Sequence, residues 1–182
     1  LSLVCNGERG CVAISIEAKA DEAYGGTVGQ AVRSARRRIA SGKPTNAHTR
    51  IAALSRRFAP QVKDPSALPY QLFTATSATL AYAQEHHACA ALLVIHEFIN
   101  GTRRDGTAAT SNRKVQANAA ALDSFVRALS RGAIERIAAP EIVGPFPIDV
   151  SIPLYIGKLR TDLADRASIA ATTPTGSPVE TK

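Results

Sequence analysis

Glu17, Lys19 and Asp21 stand two residues apart in "AISIEAKADE" (13–22). In an extended chain, residues two apart share a face, so Ser15, Glu17, Lys19 and Asp21 point one way and Ile14, Ile16, Ala18 and Ala20 the other. A row of carboxylate, ammonium and carboxylate is suited to metal-assisted attack on a phosphodiester. Magnesium takes hard oxygen ligands and keeps several waters, so one or two carboxylates plus a substrate phosphate complete its shell. Glu17 would supply one carboxylate and the Ala18 carbonyl a further oxygen, with Asp21 as an outer or second-metal ligand. Lys19 can position a water and stabilise the charge that develops on phosphorus. The Ala18 side chain is expected in the core. The plain alternative is a solvated strand face whose Glu17/Lys19 pair contributes little, with Asp21 an exposed acid ahead of the next helix.

A hairpin must present this row. "LSLVC" and "GCVAISIEAKA" flank "NGERG", and Asn6-Gly7 is a strong turn signal, so residues 1 to 20 read as two antiparallel strands. A loop from Asn6 to Gly10 sets Cys5 against Cys11 and Leu1 against Ser15. Glu17 then pairs with a position about two residues before Leu1.

Thr27 is a plausible N-cap for a helix carrying Val28, Ala31, Val32, Ala35 and Ile39 on one side and ending at Gly42. A short helix over 49–58 stops before Pro60. Residues 70–87 read as a helix from the three-to-four recurrence of Leu72, Ala75, Thr79, Leu80 and Ala83. "CAALLVIHEF" (89–98) reads as a strand buried on both faces, with His96 a hydrogen-bonded core histidine. Val115, Ala119, Leu122, Phe125, Val126 and Leu129 mark the clearest helix, from Asn112 to Gly132. Pro140, Pro145, Pro147 and Pro153 imply edge strands or extended segments. The order predicts one three-layer α/β domain over residues 1–167, around a small mixed sheet. The Thr/Ser/Pro-rich stretch 168–182 is expected to be disordered.

Composition narrows the partners. The chain has 182 residues, 45% of them hydrophobic and 20% charged, which fits one globular core. The longest apolar run, 88–95, is far below the roughly 18 residues of a membrane span. Nothing in the sequence reads as a secretory signal, and a cytoplasmic location is the default expectation. The formal net charge is +7, and Arg33 to Lys63 holds nine Lys or Arg with no Asp or Glu. Such a surface suits a polyanion, and Arg33, Arg36 and Arg37 are the candidate phosphate contacts; a merely solvated helix face is the alternative. Cys5, Cys11 and Cys89 form no CxxC pair, and with His86 and His87 they match no usual zinc spacing. There is no Met, and Leu1 already belongs to an apolar strand, so residues upstream of Leu1 are expected.

A strand ending in Glu-x-Lys beside its hairpin partner is the core of the PD-(D/E)xK nuclease arrangement. The run "VAISIEAKADEAYGGTVG" resembles a family of uncharacterised bacterial domains related to the restriction-endonuclease-like superfamily, whose members carry "SIEAKVDEPFG" in this place. "LPYQLFTATSATLAYA" (68–83), "AALLVIHEF" (90–98) and "IPLYIGKLRTD" (152–162) are similar as well. The resemblance implies a restriction-endonuclease-like fold, a metal-dependent phosphodiesterase ancestry, Glu17 as metal ligand and Lys19 as catalytic lysine. It also implies an aspartate at the start of the partner strand, immediately before Leu1. From their position, Gln71 and Tyr70 line the site if the following helix packs beside the strand end; a structural role is the equal alternative. The expectation is a magnesium-dependent nuclease acting on DNA; the alternative is a non-catalytic module binding nucleic acid or protein.

Overall fold

A computed structural model describes residues 1–8, 10–20, 22–102, 106–107 and 111–164. The hairpin forms as expected, from β1 (Ser2–Gly7) and β2 (Gly10–Lys19). Its register differs by one residue: Cys5 lies opposite Val12 and Asn6 opposite Cys11, because pairing continues to Gly7 and Gly10. Gly10, at φ 106°, takes a conformation that only glycine adopts freely, and this lets the strands close on a two-residue connection. Leu1 therefore faces Ile16, whose N–H donates to the Leu1 carbonyl at 2.7 Å. The position opposite Glu17 is the one directly preceding Leu1.

The chain continues through α1 (Val28–Ala40), α2 (Ala47–Phe58), a 3-10 turn at Pro65–Ala67, α3 (Tyr70–Glu85), β3 (Ala90–Ile99), α4 (Asn112–Leu129), β4 (Glu141–Val143) and β5 (Leu154–Asp162). Thr27 caps α1 as expected: Gln30 N–H donates to its hydroxyl, and Thr27 N–H donates to the Gln30 side chain at 2.8 Å. α3 ends at Glu85, short of residue 87, because His87 turns to φ 51°.

The sheet order is β1-β2-β3-β5-β4, with β2, β3 and β5 parallel and the two edge strands antiparallel. Both crossovers, β2 to β3 and β3 to β5, step in the same direction. Right-handed crossovers then put their helices on the same side. The core agrees: Ala13, Ala91, Leu93, Ile95, Leu154 and Ile156 form one cluster with residues of all four helices. Their neighbours Ile14, Ile16, Leu92 and Tyr155 point the other way and lie outside that cluster.

The molecule is thus α/β with a five-stranded mixed sheet, and its described residues form two layers where three were expected. Among the described residues, β3 is accordingly covered by helices on one face only. β4 is the expected edge strand, whereas β5 is interior, entering the sheet just after Pro153. The expected disordered stretch, 168–182, lies outside the described residues. Among the described residues no helix is long and apolar enough to cross a membrane.

Phe73, fully buried on α3, ties the helical layer together. Its ring meets Phe58 of α2 at 6.4 Å and Phe125 of α4 at 5.1 Å, both edge-on. Phe73→Ala is expected to cost about 3–5 kcal/mol, since three helices cannot all collapse into the space. Urea unfolding followed by circular dichroism measures this.

Candidate active site

The row of charges on β2 turns toward the helices. Ala13, Ser15, Glu17 and Lys19 share the face that α3 covers, and Lys19 is only 2% exposed. Two expectations fall together. The Ala18 side chain is exposed rather than in the core, and the charged face is not solvated. The half-buried side chains Ile14 and Ile16 lie with Ala18 on the open side.

An ammonium taken out of water needs partners. Lys19 Nζ lies 2.9 Å from Glu17 Oε1 and donates to Gln71 Oε1 at 3.1 Å. Gln71 Nε2 in turn donates to the same Glu17 oxygen at 2.6 Å. The three side chains close a ring, and the Lys19 ammonium also stands 5.2 Å from the centre of the Tyr24 ring.

The segment between β2 and α1 places Gln71. Tyr70 N–H donates to the Gly26 carbonyl, Val28 N–H donates to the Leu68 carbonyl, and Thr27 bridges Pro69. These bonds dock the start of α3 beside the end of β2. Asn118 of α4 holds the same segment by donating to the Glu22 carbonyl at 2.7 Å. Tyr70, adjacent to Gln71, points elsewhere: its hydroxyl accepts from Arg50 Nε at 3.1 Å, joining α3 to α2.

Sequence reasoning missed a second set of charges. Register places Glu97 beside Lys19 on one side and Arg160 on the other, with Lys158 two residues earlier on β5. Glu97, 3% exposed, accepts from Arg160 Nε at 3.2 Å and Nη2 at 2.8 Å, and faces Lys158 Nζ at 3.6 Å. The signal lay in "HEF" and "GKLR", single charges within apolar strands, but only the parallel pairing of β3 and β5 brings them together. A void of about 10 Å³ touches Lys19, Glu97, Val115 and Asn118. Beside it, a cavity of about 260 Å³ is lined by Asn100, Asn112, Gln116 and Arg160, with Ile99 and Val115 shared between the two. Both lie at the C-terminal ends of the parallel strands, where open α/β sheets bind ligands.

The remaining candidates are dispersed. Arg33 and Arg36 line a separate cavity of about 420 Å³ with His48. Arg37 is exposed on α1. Asp21 lies outside the described residues. His96 is hydrogen-bonded as expected, to the Thr161 hydroxyl at 2.8 Å, but on the open face of the sheet rather than in the core. Cys5, Cys11 and Cys89 form no disulfide with one another, and the described residues contain no cluster of three or more His, Cys, Asp or Glu able to hold a metal.

These features define an α/β domain with a buried, charge-paired centre at the carboxyl ends of its parallel strands. The chain belongs to the family described as "Domain of unknown function (DUF6946)", whose profile matches residues 1–163. No curated protein and no solved structure matches it.

Two predictions follow from the buried charges. Glu97→Ala leaves Lys158 and Arg160 without their counter-ion and should cost about 3–5 kcal/mol. Removing Glu135, whose partner Arg127 is exposed, should change stability by less than about 0.5 kcal/mol; denaturant titration of both variants checks the contrast. Burial, aided by the nearby Glu97 and Glu17 carboxylates and Asp123, pushes the Tyr24 hydroxyl far above the ordinary phenol range. A group whose pKa is raised on folding contributes stability in full below its unfolded value, about 10, and loses it as pH rises further. Tyr24→Phe should therefore flatten the fall in stability above pH 10 by up to about 1.4 kcal/mol per pH unit, read from urea midpoints at successive pH values.

Proposed function

We propose that this chain is a PD-(D/E)xK-type nuclease domain that cleaves DNA phosphodiesters with magnesium. The observation that carries the reading is the closed contact of Glu17, Lys19 and Gln71 at the end of β2, one strand from an antiparallel partner. Magnesium sites on nucleic-acid enzymes need only one or two protein carboxylates beside water and phosphate, so Glu17 with a second carboxylate fits. Asp21 and a residue directly preceding Leu1 are the candidates for that second group. The corrected register supports the latter, since such a residue would stand opposite Glu17 on the same face.

Glu17 and the Ala18 carbonyl would hold the ion, which when bound supplies Lewis-acid polarisation of the phosphate. Lys19 is fixed by Glu17 and Gln71, so its ammonium is already oriented and needs no reorganisation to stabilise charge on the reacting phosphate. Gln71, bonded to both, keeps the carboxylate and the ammonium in one geometry. The five charges Glu17, Lys19, Glu97, Lys158 and Arg160 sum to an excess of one cation, which favours an anion nearby. Exposed Arg33, Arg36 and Arg37 on α1 would contact the phosphate backbone.

A second reading, a non-catalytic nucleic-acid-binding module, is favoured by the burial of Lys19, whose partners already satisfy it. The two readings separate in one experiment. The chain from Leu1 onward, without the residue opposite Glu17, should be inactive or nearly so; the chain extended upstream of Leu1 should nick plasmid DNA with magnesium and not with EDTA. Glu17→Ala and Lys19→Met should each lower the rate by at least about 100-fold, with circular dichroism unchanged for Lys19→Met. DNA binding that weakens steeply with salt, without cleavage, would replace the nuclease by the binding module. Cleavage that survives both substitutions would remove Glu17 and Lys19 from the chemistry.

A further inference from the structure

The polarity of the sheet is inverted. Every charged residue of the five strands, from Glu17 and Lys19 on β2 to Glu97 on β3, Glu141 on β4 and Lys158, Arg160 and Asp162 on β5, belongs to the alternation that faces the helices. The opposite alternation contains no Asp, Glu, Lys or Arg. It presents Ile14, Ile16, Leu92, Phe98, Tyr155 and Leu159, with Ile142 at the edge and the hydrogen-bonded pair His96 and Thr161 among them. Leu159 is 43% exposed and Ile142 61%. Ordinary half-covered sheets place polar residues on the open face, and parallel sheets are normally covered on both.

We propose that this face packs against the same face of a second copy, making a two-fold dimer in which the sheets stack and the helices lie outside. Strand spacing and rise give the five strands a flat area on the order of 600 Å², before the corrugation of side chains is added. Although Val94 on this face is already buried, the area of the whole face approaches the roughly 800 Å² per partner of a stable interface.

Self-pairing suits the chemistry of the surface. A face without Asp, Glu, Lys or Arg, whose His96 is already hydrogen-bonded to Thr161, needs no complementary charge, and a two-fold axis presents each side chain to an equivalent set. Stacked sheets sit about 10 Å apart with their strands near −30° or 90°. The exposed Arg33, Arg36 and Arg37 lie on α1, so stacking through the sheets leaves them free for a polyanion. The chain's own residues 165–182 are a poor substitute, since Ile169 and Val179 are their only large apolar side chains.

Sedimentation equilibrium of the full chain across the micromolar range tests the dimer. The expected mass is twice 19.2 kDa. Leu92→Lys, at the middle of the face, should give a monomer with an unchanged circular dichroism spectrum. Leu159→Lys, at a position already open to solvent, serves as the second variant should Leu92→Lys fail to fold, and should likewise weaken the dimer at least tenfold. A wild-type monomer, whether the face is then covered by residues 165–182 or by an unrelated protein, overturns the proposal. So does a larger or mixed assembly, or a dimer that survives Leu159→Lys together with a folded Leu92→Lys.

Discussion

A lysine ammonium cannot enter a protein interior alone, and the fold is arranged around that constraint at Lys19. Its side chain lies beneath the helical layer, where Glu17 supplies the opposite charge and Gln71 the second acceptor. Gln71 can do so only because the start of α3 is fastened to the segment after β2, through the Gly26, Thr27 and Val28 contacts with residues 68–70. The desolvation of a buried ion is recovered only with good geometry and satisfied donors. Burying Lys19 therefore fixes where a helix begins.

The same economy governs the neighbouring strands. Glu97 is buried between Lys158 and Arg160, and only the parallel register of β3 with β5 supplies both cations. A slip of one residue would turn Glu97 toward the open face and strand its partners inside. Charge pairing thus acts as a register lock at the end of the sheet, while the apolar residues Leu93, Ile95 and Ile156 supply the burial. What remains on the opposite side is an apolar face without charge, and the inversion has one cause: the charges were needed within.

Local chemistry made much of this readable in the sequence. The glycine-flanked hairpin, the Thr27 cap and the α4 stripe depend on residues close together in the chain, and the structure places them as expected apart from a one-residue shift in the hairpin register. Glu17 and Lys19 share a face because strand alternation demands it. The face they share was misjudged, since alternation says which residues go together and not which side the helices cover. That choice follows from the direction of two crossovers, which is a property of the whole topology. Glu97, Lys158 and Arg160 were passed over for the same reason: each is an isolated charge until β3 and β5 pair. The nuclease reading remains a proposal whose chemical residues lie on β2, and the family to which the chain belongs is one of unknown function.

Glu17 and Lys19 form an ion pair with its ammonium buried and its carboxylate half-buried, rather than two solvated charges on a strand. A double-mutant cycle with Glu17→Gln and Lys19→Met, read by urea unfolding, measures their coupling directly. The structure predicts a coupling energy above about 1 kcal/mol, beyond the range of exposed pairs. A value near zero, with both single variants close to wild-type stability, would contradict it.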